Sequence, residues 1–344
     1  MAPKRILITG GAGFIGSELA RQAVHAGMHV TVADSLVHGS PENLSDLPED
    51  RVRLVVTDIR DTDRMKSLVA DVDIVYHLAC LCVRHSLHSP VENHDVNATG
   101  TLGLLEVARQ IGLKRFVYTS SAEVYGSACF GQVTEDNPMK PTNAYGGAKL
   151  AAESYTLVYS LCYGVPGVVL RLFNVYGPRC HHEGDSGEVI PKFLLRALAG
   201  KPLVIFGDGT QTRDFNFVED SARAILSAGL RDEAIGQAIN IGSGVETSIA
   251  TLANKVLATV GGVPVSVIHD APRPADIARM VADGAKAYQL LGYKPAVSLS
   301  EGLRRLMEWY VREQKSSVAE RLTQEVLHNW DVRELEAVGT VCKD

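Results

Sequence analysis

The chain has 344 residues, 46% hydrophobic and 22% charged, which excludes a disordered, collagen-like or coiled-coil protein and leaves two domains, or one large domain with a lobe. Its 34 basic and 40 acidic side chains give a formal charge of −6, so no global basic field exists to hold a nucleic acid and any phosphate must be held locally. The first residues run from one short apolar stretch into a glycine loop and no run approaches about 18 apolar residues, so a cytoplasmic chain without a membrane span is expected.

Residues 6–9 read as a β-strand, and Thr9-Gly10-Gly11-Ala12-Gly13-Phe14-Ile15-Gly16 then opens a helix. Glycines at 10, 13 and 16 let the backbone turn tightly and approach a pyrophosphate, whose charge rests on N–H groups at the helix start, beside Phe14 and Ile15. A second strand, 29–33, ends at Asp34, eighteen positions beyond Gly16. A carboxylate there accepts from both adenosine ribose hydroxyls and repels a 2′-phosphate, which predicts NAD rather than NADP. Strands at 52–57, 74–78, 115–119 and 168–173 follow, with long amphipathic helices at 93–110 and 145–163 between them.

This alternation predicts an α/β fold, a Rossmann-type doubly wound parallel sheet covered on both faces. Beyond Asn174 the pieces shorten, with turn signals at Gly177-Pro178, Gly207-Asp208-Gly209, Gly242-Ser243-Gly244 and Pro272-Arg273-Pro274. A smaller α/β substrate-binding lobe is expected there. Residues 1–174 with about 215–245 form the predicted NAD-binding domain, and 175–214 with 246–344 the lobe. The tail after Tyr310 reads as a charged surface helix without chemistry.

Six cysteines (80, 82, 129, 162, 180 and 342) contain no C-x-x-C pair, and His181-His182 lacks a third ligand at a recognised spacing. Reduced thiols and no metal site are expected. Tyr145 and Lys149 stand four residues apart on one helix face, and the fifth strand ends in Thr119-Ser120-Ser121 at the sheet's carboxyl edge. A tyrosine of pKa near 10 is a poor base at neutral pH. Moving it some three units needs about 4 kcal/mol, which Lys149 and a cationic nicotinamide ring together can supply.

Gly-Gly-Ala-Gly-Phe-Ile-Gly, Ser-Ser-Ala-Glu-Val-Tyr-Gly from Ser120 and Tyr-Gly-Gly-Ala-Lys from Tyr145 resemble the extended short-chain dehydrogenases that modify nucleotide sugars, the NAD-dependent epimerase/dehydratase group. Asp58-Ile59-Arg60-Asp61, His77-Leu78-Ala79, Asn97-Ala98-Thr99-Gly100-Thr101, 171–179, 206–215 and 272–276 continue the resemblance over roughly residues 4–310. It implies that Asp58 and Ile59 meet the adenine, that Leu78 and Ala79 lie beside the nicotinamide-side phosphate and ribose, and that Asn174, Arg213 and Arg273 hold the nucleotide diphosphate. It implies that Tyr145 takes the proton of a sugar 4-hydroxyl, that Ser121 hydrogen-bonds the same oxygen, and that Lys149 holds the nicotinamide ribose and the tyrosine charge. A homodimer built through the helices at 93–110 and 145–163 is also implied.

Dehydratases of the group resemble Ser-Thr-Asp-Glu where this chain has Ser120-Ser121-Ala122-Glu123, and Ala122 has no proton to give a departing 6-hydroxyl. The stretch looks like the 4-epimerase version; a uronate decarboxylase, which keeps a glutamate at Glu123, is the rival. Val83-Arg84-His85-Ser86 resembles the Val-Arg-Tyr-Ser stretch of glucuronate 4-epimerases, so Arg84 with Arg179 is expected to face a carboxylate at carbon 6, and UDP-glucuronate is the first expected sugar. A net dehydrogenase and an NAD-binding sensor without catalysis stay open.

Overall fold

The computed structural model describes residues 4–127, 131–262, 264–273, 276–312, 317–331 and 334; Cys129, Pro274 and Cys342 lie outside the described residues. The elements in chain order are β1 (Arg5–Thr9), α1 (Phe14–His25), β2 (His29–Asp34), β3 (Val52–Val56), α2 (Thr62–Val69), β4 (Ile74–His77), α3 (His85–His88), α4 (Pro90–His94), α5 (Thr101–Ile111), β5 (Arg115–Ser121), α6 (Ala144–Tyr163) and β6 (Gly167–Leu172). Then come β7 (Val175–Tyr176), α7 (Val189–Leu198), β8 (Leu203–Phe206), β9 (Thr212–Asp214), β10 (Asn216–Phe217), α8 (Val218–Ala228), β11 (Ala238–Ile241), β12 (Glu246–Ser248), α9 (Ile249–Val260), β13 (Val267–Asp270), β14 (Arg279–Met280), α10 (Ala285–Leu291), α11 (Leu299–Arg312) and α12 (Val318–Thr323).

Seven strands form one sheet in the order β3-β2-β1-β4-β5-β6-β11, every neighbouring pair parallel. Ile6, Leu7 and Ile8 of β1 are fully buried because helices cover both faces, which is why this strand reads as an unbroken apolar run. One face packs on α1 and α8, the other on α2, α5 and α6. Strand order reverses between β1 and β4, and the crevice at their carboxyl ends is where ligands of such sheets bind. A second core joins α7, α9, α11 and β8, beside three small sheets, β10-β7, β12-β9-β14 and β13-β8. Asp214 of β9, fully buried, ties that strand to the turn after β11 and to the chain after β14 by accepting from the amides of Ser243, Gly244 and Ala282 at 2.7, 2.9 and 3.1 Å.

Two expectations change. The helix read at 93–110 is α4 and α5 joined by a π-helical turn, Asp95–Gly100. There Asn97 grips the loop after β4, accepting from the Leu81 amide at 2.9 Å and donating to the Leu81 carbonyl at 3.0 Å. The tail after Tyr310 is no bare surface helix either. After α11 the chain forms α12, capped by Ser317 and Glu320, and folds over α7 because Leu322 and Val326 need cover and are buried there.

Candidate active site

A cavity of about 930 Å³ runs from the glycine loop across the carboxyl ends of β1, β4 and β5 into the second core. Gly10 has φ +69°, and a Cβ on it would stand 2.7 Å from the Ala79 nitrogen; a Cβ on Gly16 would stand 2.2 Å from the Gly10 carbonyl. Only glycine closes this turn. Gly13 begins α1 with no side-chain cap, so the first-turn amides, at Phe14 and Ile15 among others, are left for an anion. Asp34 lines the same cavity, its two oxygens accepting from the amides of Ala12 and Leu36 at 2.9 Å each. The cradle fits a dinucleotide pyrophosphate with an adenosine ribose at Asp34.

Asp58, Ile59, Leu78 and Ala79 also line the cavity. Arg60 hydrogen-bonds the Asp58 carboxylate at 2.7 Å and holds its pKa below the usual range. Behind them His77 is fully buried between Thr9 at 2.7 Å and Thr101 at 2.9 Å, and burial drops its pKa to about 3, so it stays a neutral fixture.

Ser121, Tyr145 and Lys149 come together at the end of β5 and the start of α6. Asn143 caps α6, accepting from the Gly146 amide at 2.8 Å, and donates to Glu123 at 2.9 Å, which ties the helix start to the loop after β5. Lys149 donates from Nζ to the Thr119 carbonyl at 2.9 Å and lies 5.7 Å from the Tyr145 ring centre. Burial lowers the Lys149 pKa. Burial also lifts Tyr145 well above the ordinary phenol value, the Cys80 thiol adds to this, and a hydrogen bond from Ser121 works against it. In the protein alone, desolvation of the phenolate outweighs that hydrogen bond, and the sequence reading counts on a cationic nicotinamide ring beside Lys149.

Arg84, Asn174, Arg213 and Arg273 line the far part of the cavity. Arg213 donates to the Ile277 carbonyl and to Asp276, both at 2.5 Å. Two residues at the start of α7, Glu188 before it and Lys192 in its first turn, escaped the sequence reading. Burial raises the Glu188 pKa to about 7, and burial with the nearby Arg84 charge lowers Lys192 to about 7. No spacing announces either residue, whereas Asn143 carries an N-cap signal. Arg179 is a correction: it does not line the cavity, and its guanidinium donates to Glu18 of α1 at 2.8 Å. Positive φ at Arg179 (71°) turns the chain toward α1, where the acidic partner stands. Among the described residues no group of three or more metal-ligating side chains is assembled, and no helix is long and apolar enough to cross a membrane.

The family model described as GDP-mannose 4,6 dehydratase matches residues 7–306. The UDP-glucose 4-epimerase of Mycolicibacterium smegmatis is 37% identical over 311 residues, covering 89% of this chain and 98% of that protein. UDP-glucuronic acid decarboxylase 1 of Xenopus tropicalis is 33% identical over 318 residues, covering 90% of this chain and 73% of that protein. The crystal structure of UDP-glucuronic acid 4-epimerase from Bacillus cereus, in complex with UDP-glucuronic acid and NAD, superposes with a TM-score of 0.82 at 34% identity, covering 89% of this chain and 98% of that one. Fold, glycine cradle and these matches together place the chain in the NAD-dependent nucleotide-sugar epimerase/dehydratase family of extended short-chain dehydrogenases.

Proposed function

We propose that the chain is an NAD-dependent 4-epimerase of a UDP-sugar, with UDP-glucuronate as the first substrate to try. The observation that carries this reading is the Ser121, Tyr145 and Lys149 set beside the glycine cradle, with apolar Ala122 where a dehydratase needs a proton donor. Gly10, Gly13, Gly16 and the first turn of α1 would hold the NAD pyrophosphate, and Asp34 its adenosine ribose. NAD, when bound, accepts a hydride from the sugar and returns it. Tyr145, as phenolate, takes the proton of the 4-hydroxyl, Ser121 holds that oxygen, and Lys149 stabilises the phenolate before the transfer. Asn174, Arg213 and Arg273 hold the diphosphate, while Arg84 faces the carboxylate of the sugar.

Glu123 supports a second reading. Its carboxylate lines the cavity and is fixed by Asn143, so a uronate decarboxylase has a base at hand. Incubation with UDP-glucuronate in deuterated water, followed by NMR, separates the two. Epimerisation yields UDP-galacturonate with no deuterium at carbon 5, and no net absorbance rise at 340 nm accompanies it. A pentose product promotes the decarboxylase, and a stoichiometric rise at 340 nm promotes a net dehydrogenase. Glu123→Gln should keep most epimerase activity and cost a decarboxylase on the order of a hundredfold.

We infer a homodimer formed through α6 and the helices before it. Tyr155, Val158 and Leu161 are exposed on α6, and Leu87 and Val91 on α3 and α4, which gives an apolar surface suited to a second copy. Light scattering should report about twice 37.1 kDa; a mass of one chain rejects the dimer.

A further inference from the structure

Part of the cavity wall comes from beyond residue 306, where the family match ends: Glu325, Leu327 and Trp330. The segment is fastened to α7 and its approach. Lys192 Nζ donates to the Val326 carbonyl at 2.7 Å, Arg196 pairs with Glu325 at 2.8 Å, and Asn329 Nδ2 donates to the Gly187 carbonyl at 3.0 Å. His328 Nε2 lies 3.0 Å from Asp270 at the end of β13. These ties set the Trp330 ring edge-to-face against Phe206 at the end of β8, with centres 4.8 Å apart.

The Arg273 guanidinium lies over both rings, 5.1 Å from the centre of Trp330 and 5.6 Å from that of Phe206. Its Nε is buried and has no hydrogen-bond partner among the described residues, and the carboxylate that most favours its charge, Asp276, is engaged by Arg213. Aromatic faces attract a guanidinium without using its donors, which lie in its plane. A carboxylate in their place would consume those donors. Arg273 is thus held beside both rings without spending its donors, and its edge stays free for an anion.

We propose that Trp330 is a positioning residue for substrate binding. With Phe206 it holds Arg273 so that its in-plane N–H groups meet the nucleotide diphosphate, which makes residues 317–331 part of the substrate site. This rests on the assignment of Arg273 to the diphosphate in the reading above.

The test is calorimetric titration of the full-length protein with UDP, in the unaltered chain and in Trp330→Ala, Trp330→Phe, Arg273→Ala and the double variant Trp330→Ala/Arg273→Ala. Trp330→Ala should weaken UDP about tenfold and raise KM for the sugar nucleotide alike, with a much smaller change in kcat. Trp330→Phe should restore most of the loss, NAD affinity should not move, and the double variant should bind no worse than Arg273→Ala. Equal UDP binding by Trp330→Ala and the unaltered chain overturns the proposal and leaves the enzymatic reading intact, as does full additivity in the double variant. Failure of the unaltered chain to bind UDP overturns both. Trp309 and Trp330 are the only tryptophans, so in Trp309→Phe the remaining emission reports this site even if the alanine variant misfolds. Saturable change with UDP supports the proposal, and a flat signal overturns it.

Discussion

Replacing Lys149 with methionine keeps an unbranched apolar stem in a buried position and removes one cation. Its Nζ stands 5.7 Å from the Tyr145 ring centre. At an effective dielectric of about 20, unit charges at that separation interact by about 3 kcal/mol, equivalent to about two pKa units. The cation favours the phenolate, so removing it raises the phenol pKa, and at a fixed neutral pH the reactive fraction falls about a hundredfold. Turnover measured across the neutral and alkaline range should therefore show its rising limb displaced upward by about two units, with activity partly recovered at the alkaline end. Lys149 also donates to the Thr119 carbonyl, so a melting curve should accompany the kinetics to separate misfolding from lost charge. A variant that is folded, slower and unshifted in its pH profile would refute the electrostatic role and leave Lys149 only as a holder of the cofactor or of β5.

Asp34→Ala should weaken NAD at least about tenfold in calorimetry and narrow its advantage over NADP, since the ribose acceptor and the repulsion of a 2′-phosphate disappear together. Unchanged discrimination would remove Asp34 from that role. Glu153 and Arg171 form a buried ion pair, with Nε to Oε1 at 3.0 Å, and Arg171 also donates to Tyr125 at 2.6 Å. Glu153→Leu leaves that cation without its counter-charge and should cost about 3–5 kcal/mol, read as a lower denaturant midpoint; an unchanged midpoint contradicts the reasoning. Burial depresses His328, but hydrogen bonds to Glu334 and Asp270 outweigh it and hold its pKa above the ordinary value. Its contribution to docking the C-terminal segment is complete below the unfolded value and lost as pH rises through the raised one. Protease cleavage within 317–331 should accelerate over that rise in the unaltered chain, and a His328→Gln chain should show no such step.

Apolar runs at β1, β4, β5 and β6 announced a parallel sheet in the sequence itself, because a strand covered on both faces leaves little polar alternation to misread. The glycine loop was equally legible, since Gly10 and Gly16 stand where no Cβ fits, a constraint acting within a few residues. Spacing along one helix face likewise brought Tyr145 and Lys149 together. What only the tertiary structure decided depends on partners distant in sequence. Arg179 turned to Glu18 of α1, 161 positions away, rather than to the cavity. Glu188 and Lys192 took unusual pKa values from burial that no local pattern encodes. The tail past Tyr310 looked like a charged surface helix because charged residues such as Arg321 and Glu325 stand among its apolar ones, and the spacing of Leu322, Val326 and Trp330 along one face does not say what they pack against. Folded over α7, those residues carry its role: two bury themselves, and the third sets its ring against Phe206 and Arg273.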